Sequence, residues 1–397
     1  MHDPLQPVEH AGLPPSLLSL QAPDVTDATL DAALDARRTP IVDGASCVFW
    51  FRGDADSVAV DHRVMGMQLP LPLHRLSGTS WWYVTVDVPH GARIEYRLLV
   101  TRAGSTEHIL DPRNDRVARG PLSENSVLEA DGYITPDWAL QDSSVPQGAI
   151  SEVHMQSRAL RRQVRVTIYA PAAVRPSRRY PLLVVHDGGD FLEYACLGTV
   201  LDNLMHRRLM APAFVALLHP KDRMREYAAN PAHGRFVTTE LLTNLDETLP
   251  IRDDGDGRVL LGASLGAVAS LAAAVRAPGR FGGLLLVSGS FRTDMAGWPG
   301  GPRAIEQTTR YLSSLQRRPR RVARRIFQTY GRFEPLAEPN RAITPMLRGM
   351  TDDIRIFEAL DGHSWINWRD RLGDALGWLL PPQMAENFER LGERRAS

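Results

Sequence analysis

The sequence predicts a chain of two unlike parts: an antiparallel β-sandwich, then an α/β unit whose mostly parallel sheet is sandwiched by helices. Three observations carry this. Between about residues 40 and 130, short β-branched and aromatic runs recur at regular spacing, separated by turn residues. Beyond residue 150, continuous apolar runs alternate with helical stretches, the pattern of strands buried on both faces. Between them, residues 136–148 (PDWALQDSSVPQG) are polar, contain Pro and Gly, and lack periodicity, which reads as a linker. The division is therefore an N-terminal extension over 1–39, a sandwich over 40–135, a linker over 136–150 and an α/β domain over 151–397.

The elements follow in order. Residues 27–38 (DATLDAALDARR) form a short amphipathic helix with an aspartate cap signal. Strands follow at 46–52, 57–61, 81–88 and 94–100, with turns at Gly53-Asp54, Ser77-Gly78 and Pro89-His90-Gly91. In the second part, strands are expected at 164–169, 180–186, 213–218, 259–261, 284–287, 326–330 and 354–360. Residues 265–275 (LGAVASLAAAV), small-sided and Ala-rich, are the clearest helix. There is no internal repeat.

Composition excludes several classes. The 397 residues suit about two domains, and 43% hydrophobic with 23% charged residues excludes a largely disordered chain. Lys+Arg and Asp+Glu are 46 each, so no general charge argues for nucleic acid or a membrane surface. The basic run at 317–325 lacks interleaved aromatics and reads as a solvated face or turn. No apolar run approaches ~18 residues, and Met1-His2-Asp3-Pro4 does not open a signal peptide. The expectation is a cytoplasmic protein with a small-molecule partner, of open oligomeric state. Cys47 and Cys196 read as two buried free thiols. Trp50, Trp81 and Trp82 read as sandwich core rather than a sugar platform.

Chemistry concentrates at Gly262-Ala263-Ser264-Leu265-Gly266, a G-x-S-x-G with an apolar strand before it and a helix after it. A nucleophile elbow needs this arrangement: a tight turn exposes the serine hydroxyl, and small residues two before and two after prevent strand–helix clashes. A hydroxyl needs a general base, usually His, oriented by a carboxylate, and in α/β-hydrolases the order is Ser, acid, His. His363 is the only histidine after Ser264. Glu334, just after the strand at 326–330, is the expected acid, with Glu338, Asp352, Asp353 and Glu358 as competitors. Oxyanion N–H groups are expected from Leu265 and from Gly189, with Asp190 next, in the loop His186-Asp187-Gly188-Gly189-Asp190-Phe191. That loop lacks the further ligands a metal needs, so no metal or other cofactor is expected.

These motifs resemble the enterochelin (enterobactin) esterases, among the esterase-D-like α/β-hydrolases. The matching segments include His186-Asp187-Gly188-Gly189-Asp190-Phe191, Arg223-Met224-Arg225-Glu226-Tyr227, the serine elbow, Gly331-Arg332-Phe333-Glu334 and Gly362-His363-Ser364-Trp365. In the first part Val48-Phe49-Trp50-Phe51-Arg52, Arg93-Ile94-Glu95-Tyr96-Arg97 and Asp111-Pro112-Arg113-Asn114 resemble the immunoglobulin-like domain of those esterases. The resemblance implies hydrolysis of a catecholate tri-ester siderophore by a Ser264–His363–Glu334 triad, with Fe(III) carried by the substrate. Two departures, Gly189-Asp190 in the loop and Ser364 after the histidine, bear on substrate choice. Feruloyl or acetyl esters of carbohydrates are the rival substrates, and a non-catalytic binding scaffold the rival class. An anionic substrate calls for cations, so Arg223 first, then Arg225, is expected to touch it, along with Trp365. The alternative for Arg223 is an ion pair with Glu226 or Asp222.

Overall fold

The computed structural model describes residues 5–10, 12–35, 37–293 and 303–384. The chain divides into two units. One comprises Met1–Ile134 with Gly331–Pro335 and Ala359–Ser364; the other comprises Thr135–Tyr330, Leu336–Glu358 and Trp365–Ser397.

The N-terminal unit holds two antiparallel sheets. One runs Val8–His10, Trp81–Asp87, Ser46–Arg52, Ile41–Asp43; the other runs Val117–Arg119, Glu124–Glu129, Arg93–Arg102, Ser57–His62, Leu71–Pro72. Alternation fixes the inward faces. Val58 and Val60 point to the same core as Ile94, Tyr96, Leu98 and Val100, and Phe49, Phe51, Trp82 and Val84 meet them from the first sheet. The first sheet is apolar on its other face too, as the unbroken run Cys47–Phe51 requires, and that face must also be covered. Leu13, Leu17, Leu20, Leu30 and Leu34 cover it, packed on Val48, Trp50, Trp81 and Tyr83.

These residues, which precede the expected sandwich, form a layer of the unit, and Val8–His10 pairs with Trp81–Asp87. The helix Asp27–Leu34 is present, capped by the Thr26 side chain rather than an aspartate. Trp50 and Trp81 are 1% and 0% exposed, so they are core and offer no sugar platform. Cys47 is buried, and desolvation pushes its thiol up to about 12; Cys196 is exposed, contrary to expectation, in a left-handed turn between two helices.

The second unit is built on one eight-stranded sheet. Its strands are β1 (Ala149–Ser157), β2 (Arg162–Ala170), β3 (Leu182–Val185), β4 (Phe214–Leu218), β5 (Arg258–Ala263), β6 (Gly283–Val287), β7 (Ala323–Gly331) and β8 (Thr351–Ala359). The order is β1-β2-β4-β3-β5-β6-β7-β8. β1 and β2 are antiparallel to their neighbours, and β4, β3, β5, β6 and β7 run parallel. Buried apolar strands with helices on both faces follow from the unbroken runs in the sequence. This is the α/β-hydrolase fold. Three helices matter for the site: α1 (Gly188–Tyr194), α2 (Leu265–Arg276) and α3 (Trp365–Leu379).

Residues 136–148, read as the linker, are held by hydrogen bonds and packing. The Asn203 amide donates to the carbonyls of Trp138 and Leu140 at 2.9 and 2.8 Å, and the Trp138 ring packs on the second unit's core. The basic run at 317–325 is a turn entering β7, where Arg321 and Arg324 pair with Asp352 and Asp256. Among the described residues, no helix is long and apolar enough to cross a membrane.

Candidate active site

Ser264 sits between β5 and α2 with φ 55° and ψ −119°, a conformation that costs a non-glycine residue about 1–3 kcal/mol. The surroundings enforce it. Its N–H donates to Val287 O at 2.9 Å, and its carbonyl accepts from Ser290 N–H at 3.0 Å. A Cβ on Gly262 would lie 2.1 Å from Gly266 O, so β5 and α2 can meet this closely only through glycine. The hydroxyl is left at the start of a twelve-residue helix, 3.2 Å from Ser290 Oγ. The Leu265 N–H, first in α2, has no intrahelical acceptor, and the helix N-terminus favours negative charge there.

Beneath the elbow lies a buried polar layer that sequence reasoning missed. His186 packs its Cβ 3.2 Å from where a Gly266 side chain would begin. Its ring contacts Ser270 Oγ at 2.9 Å and His233 Nε2 at 3.0 Å. Two facing ring nitrogens can share only one N–H, so at least the accepting ring is neutral. Burial agrees: it lowers His186 to about 4 and holds His233 well below the usual range.

The segment after β3 differs from the expected loop. Asp187 adopts a left-handed turn (φ 55°, ψ 41°), and α1 begins at once with Gly188. What presses on Gly188 is β4 rather than a ligand, since a Cβ there would lie 2.4 Å from Leu217 Cβ. Gly189 is the second residue of α1, so its N–H is among those without an intrahelical acceptor. Asp187 anchors this turn. Arg223 donates to both its carboxylate oxygens, from Nε at 2.9 and 3.0 Å and from Nη2 at 2.8 Å. The partner of Arg223 is therefore neither Glu226 nor Asp222: Glu226 pairs with Arg162 at 2.7 Å, and Asp222 caps its own helix. Arg223 keeps 37% of its side chain exposed. Arg225 is exposed, and Trp365 opens α3 against Phe191, Tyr194 and Trp368.

Glu334 and His363 follow β7 and β8, in the two segments that belong to the N-terminal unit. His363 Nδ1 and Glu334 Oε2 are 2.6 Å apart. A carboxylate accepts, so Nδ1 carries the proton and Nε2 is the basic nitrogen. Glu334 is 1% exposed, whereas the His363 side chain is 30% exposed. The competing acids are committed elsewhere or out of the way: Glu338 and Glu358 pair with Arg341, Asp352 with Arg321, and Asp353 is exposed.

The pair is clamped by its own unit. Phe333, 1% exposed, is part of the N-terminal core, and its carbonyl accepts from Met65 N–H at 2.9 Å. Arg93, 3% exposed in its side chain, donates to Glu95 at 3.0 Å and to Ser364 Oγ at 3.3 Å, with Asp361 at 3.5 Å; its N–H donates to Leu360 O at 2.9 Å. Leu360, Asp361 and Ser364 flank His363 on both sides. Arg93→Met is expected to lower kcat about 10–100-fold by loosening the imidazole, because small misplacements are costly in catalysis. Arg93→Lys should recover part of the loss; kcat, KM and thermal unfolding of both variants check this.

Comparison with known proteins agrees with the geometry. Residues 157–379 match the family described as "Putative esterase". The chain is 25% identical to the iron(III) enterobactin esterase of Escherichia coli O6:H1 over 333 residues, covering 77% of this chain and 81% of that one. It is 26% identical over 243 residues to YjcH of Bacillus subtilis, an uncharacterised protein, covering 59% and 98%. The crystal structure of the enterobactin esterase from Shigella flexneri, obtained in the presence of enterobactin, superimposes with a TM-score of 0.72 at 25% identity over 90% of this chain and 98% of that one. A ferulic acid esterase shares the fold at 16% identity and TM-score 0.51, over 59% of this chain. With more than half of its length matched, across the strand, the strained serine and the helix just described, the chain belongs to the Esterase family.

Proposed function

We propose that the chain is a serine esterase that hydrolyses the ester bonds of a catecholate siderophore and so releases its iron. Ser264 Oγ attacks the ester carbonyl while His363 Nε2 takes its proton. His363 then protonates the departing alkoxide, and a water molecule, deprotonated by the same nitrogen, cleaves the acyl-enzyme. Glu334 fixes the imidazole tautomer and stabilises the imidazolium. The N–H groups of Leu265 and Gly189 receive the oxyanion.

The observation that carries the chemistry is the 2.6 Å bond between His363 and a fully buried Glu334, on a chain whose only strained serine of G-x-S-x-G context is Ser264. Likeness to the named enterobactin esterases over both units supports the substrate, whereas likeness to the ferulic acid esterase covers 59% of the chain and concerns the fold. The two antiparallel sheets around one core support an immunoglobulin-like reading of the N-terminal unit. Arg225 and Trp365 are proposed substrate contacts, and Arg223 contributes beside its ion pair. The reading places the reaction in the cytoplasm, where released iron is used.

The test compares initial rates on a cyclic catecholate tri-ester, with and without Fe(III), and on a feruloylated or acetylated sugar. The siderophore ester is expected to have the higher kcat/KM by at least about tenfold, a ratio that a few specific polar contacts supply. A higher kcat/KM for the sugar ester would overturn the assignment.

A further inference from the structure

A cavity of about 310 Å³ opens within the N-terminal unit, and His363 forms part of its wall. This volume is at the lower end of small-molecule sites, enough for one substituted aromatic ring (roughly 300–1,000 Å³ is usual). Its floor is apolar: Val64, Ile94 and Phe333 line it and belong to the buried core. Arg93 is held by Glu95 and Asp361; Asp61 lies 3.5 Å from His108, which balances its charge only when protonated, and is the cross-strand partner of Arg97. Arg63 and Arg97 also line the cavity, and among the described residues neither guanidinium is within ion-pair distance of a carboxylate. Arg97 is half-buried and donates from Nε to the Glu124 carbonyl at 2.8 Å; Arg63 is exposed.

An apolar floor, two guanidiniums with no ion pair among the described residues and a wall shared with the proposed general base are what an aromatic ring bearing anionic or hydroxyl oxygens needs. We infer that this cavity is the subsite for one catecholate arm of the substrate, with the ring on Val64, Ile94 and Phe333 and its oxygens on Arg63 and Arg97. The inference rests on the siderophore reading and moves the substrate cations from the Arg223 segment to the strands of the N-terminal unit.

The experiment uses the full chain with Arg63→Gln, Arg97→Gln and the double variant, after circular dichroism shows them folded. Binding of 2,3-dihydroxybenzoyl-serine is measured by calorimetry. Rates are measured on a catecholate ester and on a short-chain aryl ester. Losing charge-assisted hydrogen bonds is expected to raise Kd about tenfold for each variant and more for the double. The ratio of kcat/KM between the two esters should fall in step. A Kd and a ratio within about twofold of wild type in the double variant overturn the subsite, since such a change is too small for a lost charged hydrogen bond. So does a wild-type protein that does not bind the compound. Failure of the siderophore reading looks different: a wild-type protein that binds 2,3-dihydroxybenzoyl-serine through these arginines yet does not hydrolyse the tri-ester.

Discussion

Ser264→Ala is expected to lower kcat on any ester by at least about 10⁴-fold while leaving the protein folded. The size of the effect follows from the way a triad works as a unit. Removing the nucleophile alone costs nearly as much as removing every member, and the remaining rate comes from the oxyanion donors and from binding. The backbone of the elbow does not depend on the hydroxyl. Its strain is held by the Val287 and Ser290 hydrogen bonds and by the Gly262–Gly266 approach, all of which the variant keeps. The melting temperature should therefore stay close to wild type, and steady-state kinetics beside thermal unfolding checks both halves. A variant that retains wild-type turnover would remove Ser264 from the mechanism.

Glu334→Gln is expected to move activity and stability in opposite directions. Glu334 is almost completely buried, its Oε2 accepts from His363 Nδ1, and its Oε1 has no hydrogen-bond partner among the described residues. A buried carboxylate with one oxygen unpartnered is costly to the fold, and a neutral amide of the same shape is less so. In the proposed mechanism the same carboxylate stabilises the imidazolium during proton transfer, and the amide cannot do so. It also permits the wrong tautomer. A drop in kcat of about 10²–10⁴-fold should thus accompany an unchanged or raised melting temperature. A fall in both would point to misfolding, and an unaffected kcat would send the search for the acid elsewhere.

What the sequence made legible was local. The elbow needs only a strand, five residues and a helix, and the flanks of Ser264 contain all of it. His363 stood out because no other histidine follows the nucleophile, and Glu334 because it closes a strand. Long-range partners were not legible. Arg93 meets Asp361 across 268 residues, and nothing near either one announces the other. Asp187 and Arg223 are 36 residues apart, on segments that become neighbours only once β3 and β4 pair. Gly188-Gly189 suggested a loop because two glycines usually do, yet the turn is made by Asp187 and the helix starts immediately. The segment before residue 40 read as an extension in part because some of its apolar residues sit on a 3-10 turn, Pro15–Gln21, with no α-helical period to reveal the face they cover.

Dependence of the acid–base pair on the N-terminal unit is the consequence with most reach. Both segments that carry Glu334 and His363 are part of that unit, where Arg93 bonds Ser364 and the Phe333 carbonyl accepts from Met65 N–H.

The most direct measurement is intact-mass spectrometry of the folded protein after reaction with a fluorophosphonate, followed by peptide mapping. A single adduct on Ser264 is expected, absent from Ser264→Ala and formed far more slowly in Glu334→Gln. A folded wild-type protein that stays unlabelled, or that carries its adduct on another residue, would contradict a catalytic Ser264 assisted by His363 and Glu334.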